Sequence, residues 1–106
     1  MPILGDLEHA VMDVLWGREA PTPVRDVHEE LARGREIAYT TVMTVLDRLS
    51  KKGIVRRQLD GRAWLYVPAR SRLDLYVDTI NDVLSTLTDE ERVEVFRRVD
   101  RTPVAD

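Results

Sequence analysis

The chain has 106 residues, 43% hydrophobic and 33% charged, which suits one compact domain with an appendage and leaves no apolar run near the roughly 20 residues that span a bilayer. It contains no cysteine, so disulfides, thiolate metal sites and cysteine nucleophiles are excluded together. The net charge of -3 argues against a nucleic-acid partner when taken alone, but the charge is unevenly placed. Residues 1–32 carry two arginines against seven carboxylates, residues 33–72 carry ten basic side chains against three acidic, and residues 73–106 carry four against nine. A basic middle between two acidic ends is an electrostatic footprint with a location. The opening "MPILGDLEHAV" has no basic stretch ahead of an apolar one, so no secretory signal is read and a cytoplasmic protein is expected.

In chain order, the spacing predicts a first helix over 6–16, with Asp6 as its cap and Leu7, Ala10, Val11, Val14 and Leu15 on one face. Gly17 ends it. Thr22 as N-cap and Pro23 as first helical residue open a second helix, with Val24, Val27 and Leu31 inward, to about Arg33. "GREIA" is a connector with room for a short strand at Glu36 to Ala38. A third helix runs from about Thr40 to Lys52. Its apolar face is Val42, Val45, Leu46 and Leu49, and Gly53 stops it.

The period then changes to two. Two short strands flank Asp60-Gly61, a pair suited to a type I′ turn. That turn would pair Leu59 with Arg62, Arg57 with Trp64 and Val55 with Tyr66, placing both aromatics in the core. Pro68 closes the hairpin. Ser71 opens a fourth helix, with Leu73, Tyr76, Val77, Ile80, Val83, Leu84 and Leu87 in one stripe. "TDEE" at Thr88 is a capping box for a last helix bearing Val93, Phe96 and Val99. "DRTPVAD" reads as a frayed tail.

Three helices and a hairpin are the order of a winged helix-turn-helix. The expected fold is mainly α with a small β-hairpin: a winged helix-turn-helix DNA-binding domain over 1–68 and a helical dimerisation segment over 69–106. The third helix is unusual on its outer face, because threonine is a mediocre helix former. Thr40 and Thr44 lie at the centre of that face, Thr41 and Met43 flank it, and Arg48 and Lys51 lie toward the C-terminal end. Threonine offers a hydroxyl for a base edge and a methyl for thymine, while Arg and Lys supply phosphate contacts. Arg56 and Arg57 on the first strand and Arg62 beside the turn are the wing's candidates. The dimer candidates are Leu73, Tyr76, Val77, Ile80, Val83, Leu84, Leu87 and Phe96, because a stripe of that length needs cover and a second copy supplies it. The competing reading folds the fourth helix back, with Tyr76 on Trp64, as a monomer.

"LGDLEHAVMDVLW", "PTPVRDVHEEL", "AYTTVMTVLDRLSKKGIV" and "DGRAWLYVP", in that order, resemble the BlaI/MecI/CopY family of transcriptional repressors over roughly residues 4–68. The resemblance implies a homodimeric winged-helix repressor of β-lactamase, methicillin-resistance or copper-export genes on palindromic operators with TACA/TGTA-type half-sites. It places Thr41, Met43, Thr44 and Arg48 at the DNA and Arg62 at the wing tip, and it implies a regulatory protease as a further partner. The copper branch's cysteine motif is missing. The β-lactam branch's Asn-Phe cleavage bond is not visible either, since Asn81 precedes Asp82 and the only phenylalanine is Phe96. The roughly 35 residues after Pro68 allow about two helices where the family usually has three.

An enzyme reading starts from His9 with Asp13 one turn away, and from His28 beside Glu29 and Glu30. No third ligand, phosphate loop or nucleophile motif joins them. The expectation is therefore a non-enzyme without cofactor or metal, its two histidines facing solvent. A winged-helix protein-interaction module and a MarR-like ligand-responsive regulator are the alternatives, since fold alone does not settle function. The basic middle and the threonines at the reading positions favour DNA.

Overall fold

The computed structural model describes residues 4–100. The end of the expected frayed tail, from residue 101, lies outside them. The elements are α1 (Asp6–Trp16), β1 (Thr22–Pro23), α2 (Val24–Ala32), α3 (Tyr39–Lys51), β2 (Val55–Asp60), β3 (Ala63–Pro68), α4 (Arg72–Ser85) and α5 (Asp89–Arg98).

One core joins α1, α2, α3, the hairpin and α4. Val11, Met12, Val14 and Leu15 of α1 meet Val27 of α2, Val42, Val45, Leu46 and Leu49 of α3, Val55 and Tyr66 of the sheet, and Leu75 of α4. Fully burying each such aliphatic side chain stabilises the fold by about 1.5–3 kcal/mol. The α3 face is the one the sequence predicts, whereas Met12 of α1 and Leu75 of α4 are buried although neither lies on its helix's predicted face.

The end of α3 follows from one glycine. Gly53 has φ +76°, which only glycine adopts without strain. Its N–H donates to the Ser50 carbonyl and that of Ile54 to the Leu49 carbonyl, both at 3.0 Å, closing the helix in a Schellman motif. Ile54 and Leu49 are both buried, so the motif also turns the chain from helix into wing.

The helix starts differ in part from expectation. Gly5, rather than Asp6, is the N-cap of α1, and the Glu8 carboxylate accepts the Gly5 N–H at 3.1 Å. Thr22 does not cap α2: it is a buried strand residue whose hydroxyl donates to the Ala20 carbonyl at 3.0 Å. Thr22 pairs with Tyr66 and Pro23 with Leu65, giving an antiparallel sheet of order β1-β3-β2. Proline fits there because β1 is an edge strand. Glu36 to Ala38 form no strand; the edge beside β3 is taken by β1 instead.

The wing's register also differs. Asp60 pairs with Ala63, Leu59 with Trp64, Arg57 with Tyr66 and Val55 with Pro68. The two-residue turn is therefore Gly61-Arg62. A type I′ turn needs positive φ at both central residues. Only Gly61, at φ +62°, supplies it, because no described non-glycine residue has positive φ. Gly61 therefore takes the first central position and Arg62 the second. The shift of two residues keeps every side chain on its expected face.

α4 and α5 start as the sequence predicts. The Ser71 hydroxyl accepts the Asp74 N–H at 3.1 Å, and Thr88 with Glu91 forms the reciprocal capping box at 3.1 and 3.0 Å.

Candidate nucleic-acid interface

The face of α3 opposite the core is open. Thr40, Thr41, Met43, Thr44, Arg48 and Lys51 are all exposed on it. The Thr44 hydroxyl donates back to the Thr40 carbonyl at 2.9 Å. That bond directs the hydroxyl hydrogen to the helix's own backbone, while the residue as a whole stays exposed.

Between α3 and the wing lies a cleft of about 670 Å³, lined among others by Arg25, Tyr39, Met43, Thr44, Asp47, Arg57, Arg62 and Trp64. Tyr39, Met43 and Asp47 are spaced by four and so form one edge of the helix. The Asp47 carboxylate meets Lys51 Nζ at 3.0 Å and Arg57 Nη1 at 3.6 Å. The Arg57 guanidinium lies over the Trp64 ring, 4.4 Å from its centroid. The helix and the wing are thus linked by one carboxylate between two cations.

On the other border of α3, Lys52 Nζ bonds the Glu8 carboxylate at 2.7 Å. Burial alone would raise the Glu8 pKa. The Lys52 and Gly5 hydrogen bonds and the charges of Lys52 and Arg48 outweigh it and hold the group below its ordinary range. Lys52 is therefore committed to the fold, while Arg48 remains exposed.

Of the wing residues named from sequence, Arg62 lines the cleft and Arg56 does not. Strand alternation puts Arg56 on the opposite face from Arg57. Of the two first-strand arginines, Arg57 is the one that lines the cleft, two residues on from buried Val55. Arg25 was masked by its acidic neighbourhood. Trp64 is 41% exposed, against its expected place in the core, whereas Tyr66 is buried as expected. The reason is position along the wing: the Tyr66 end lies against the helices and the Trp64 end extends past them.

In the C-terminal segment, Leu73, Tyr76, Val77, Ile80, Val83 and Phe96 are exposed, Leu87 is half-buried, and Leu84 is only 7% exposed. Leu84 is thus covered by its own chain, which removes it from the surface available to a second copy. Tyr76 does not rest on Trp64; its ring stacks on His9, with centroids 6.0 Å apart. Neither histidine is simply solvent-facing. His9 lies between Asp13 and Tyr76, and His28 Nε2 is 2.8 Å from the Ile37 carbonyl. No group of three potential metal-ligating side chains occurs among the described residues, and no described helix is long and apolar enough to cross a membrane.

The family model described as penicillinase repressor matches residues 4–102. The chain is 51% identical over 86 residues to the transcriptional regulator BlaI of Mycobacterium tuberculosis strain H37Rv, covering 81% of this chain and 62% of that protein. It thus spans less than two thirds of the relative's length. The solution structure of the DNA-binding domain of the repressor BlaI is similar at TM-score 0.61 and 32% identity, covering 69% of this chain and 88% of that one. The structure of Bacillus licheniformis BlaI in monomeric form with the blaP half-operator is similar at TM-score 0.58 and 32% identity, with the same coverage. A core periodicity, a winged-helix topology and a family match over residues 4–102 agree, and the chain belongs to the penicillinase repressor family.

Proposed function

We propose that the protein is a sequence-specific DNA-binding transcriptional repressor that acts as a homodimer on a palindromic operator. The observation that carries this reading is the outer face of α3, where short threonines and Met43 are exposed between Arg48, Lys51 and the arginine-lined cleft. On this reading α3 enters the major groove, Thr41, Met43 and Thr44 meet base edges, and Thr40 lies at the helix N-terminus where partial positive charge suits a phosphate. Arg48 and Lys51 position the helix on the backbone, and Arg57 and Arg62 of the wing meet the adjacent phosphates or minor groove. Arg56 is outside the cleft and has no place in this contact. The B. licheniformis relative, solved with half-operator DNA, supports the choice of partner.

Residues 1–68 are the DNA-binding unit and residues 69–106 the dimerisation unit. Leu73, Val77, Ile80, Val83 and Phe96 form the self-complementary surface, supported by Tyr76 and Leu87 at its margin. Two recognition helices held about 34–36 Å apart, or a multiple of that, fit successive turns of one DNA face and demand an inverted repeat. Selection of binders from random duplexes tests the reading. An enriched inverted repeat is expected, and recovery of unrelated sequences overturns it.

A further inference from the structure

The winged-helix body and the C-terminal helices are joined at a seam of rings and charges. α4 sends Leu75 into the common core. Beside it, Tyr76 stacks on His9, and both rings meet Trp16 edge-on at 6.1 and 6.4 Å. His9 Nδ1 lies 3.2 Å from the Asp13 carboxylate. A carboxylate only accepts, so Nδ1 carries a hydrogen toward it, and Nε2 is hydrogen-bonded to the Tyr76 hydroxyl. Asp13 also accepts from Arg72 at 2.8 Å, and the Arg72 guanidinium lies over Trp16 at 5.3 Å. The Trp16 indole N–H donates to the Arg70 carbonyl at 3.0 Å, and Asp78 pairs with Arg70.

These ties hold the first two turns of α4 on α1, and α1 shares its core with α3. Past them, Ile80 and Val83 are exposed and the molecule extends to 53 Å along its longest axis. The angle between the apolar stripe and the recognition helix is therefore set at this seam. None of His9, Asp13 and Arg72 lies on α3 or in the stripe.

We propose that the His9–Asp13–Arg72–Tyr76 cluster is a positioning latch that fixes the separation and twist of the two recognition helices, and so determines the spacer length read between half-sites. This rests on the homodimer reading above. Two base pairs added between half-sites rotate them by roughly 70° and part them by about 7 Å. A rigid joint cannot follow that change, whereas a loose one can. When geometry forbids both contacts at once, the avidity of bivalent binding, on the order of 10²–10⁴-fold, is lost.

The test uses the full chain and its His9→Ala/Asp13→Ala double variant, on duplexes carrying the selected half-sites at the preferred spacing and with added base pairs. The wild type is expected to lose on the order of 10²-fold in affinity at the wrong spacing, and the variant less than about tenfold, with half-site affinity unchanged in both. Nitrogen-15 relaxation without DNA provides a second reading. α4 and the body tumble together in the wild type and separately in the variant. Arg72→Gln, which loses the ion pair with Asp13 and leaves His9 and Tyr76 in place, is expected between the two and serves alone should the double variant not fold. A variant that keeps wild-type spacer discrimination and common tumbling overturns the latch. A wild type with no spacer preference overturns the palindromic reading and the latch's role with it.

Discussion

Lys52 reaches from the end of α3 to Glu8 in α1, its ammonium 2.7 Å from a carboxylate on a residue only 7% exposed. Charge-assisted bonds of this kind are short and stronger than neutral ones. The pair ties α3 to the helix beneath it, and removing either partner leaves the other with an unmet need.

Lys52→Met is expected to lower stability at neutral pH by roughly 1–3 kcal/mol, the cost of leaving a buried acceptor without its donor. The pH dependence follows from the same pair. The folded Glu8 pKa lies below its ordinary value of 4.5, so its contribution is present above that pH and is lost as pH falls through the folded value. Urea unfolding between pH 3 and 7 checks this. The wild type should weaken on the acid side more than Lys52→Met does, and parallel curves would contradict the assignment.

DNA binding is expected to depend steeply on salt. Two copies of the basic middle neutralise about 6–10 phosphates, which implies a loss of roughly 10³–10⁵ in affinity between 50 and 200 mM salt. Arg57→Ala should reduce the slope by about 1 for each protomer. A flat response in the wild type would remove the electrostatic basis of the interface.

Thr44 separates reading from positioning. Thr44→Ala is expected to relax sequence preference at one position of each half-site at a cost of roughly 1–3 kcal/mol, while Lys51→Ala weakens all sequences alike. The Thr44 hydroxyl is already donated to Thr40, so its methyl is the group offered to a thymine. Thr44→Val keeps that methyl and should retain preference for the cognate half-site better than Thr44→Ala. Competition binding with cognate and scrambled duplexes measures both. Equal losses on the two duplexes for every variant would mean that α3 reads no base.

The exposed stripe predicts self-association. Ile80 is 56% and Val83 48% exposed, so Ile80→Asp with Val83→Asp should leave the protomer folded and dissociate the dimer. Leu84→Asp, by contrast, should unfold the segment, because that side chain is buried within its own chain. Sedimentation is expected to move from a dimer to the 12.2 kDa protomer, with palindrome binding lost far more than half-site binding. A wild type that already sediments as a protomer at micromolar concentration contradicts the dimer.

What the sequence alone determined is what depends on neighbours along the chain. The core face of α3, the Gly53 stop, the Ser71 and Thr88 caps and the hairpin's existence follow from periodicity and from residues three or four apart, and each is where it was expected, whereas Met12 of α1 and Leu75 of α4 are buried off their predicted faces. The tertiary structure decided what depends on partners distant in sequence. Thr22 became a strand because β3 presented an open edge, and no local preference encodes that. The turn moved by one residue because Asp60 does not take the positive φ that a type I′ turn at Asp60-Gly61 requires, and Gly61 supplies it at the first central position. Arg57 became a cleft residue through Asp47 and Trp64, and Tyr76 found His9 rather than Trp64, because side chains 67 positions apart meet only once the helices are packed. Burial separated Leu84 from the rest of a stripe that looks uniform in sequence, since periodicity gives the face of a helix but not what covers it.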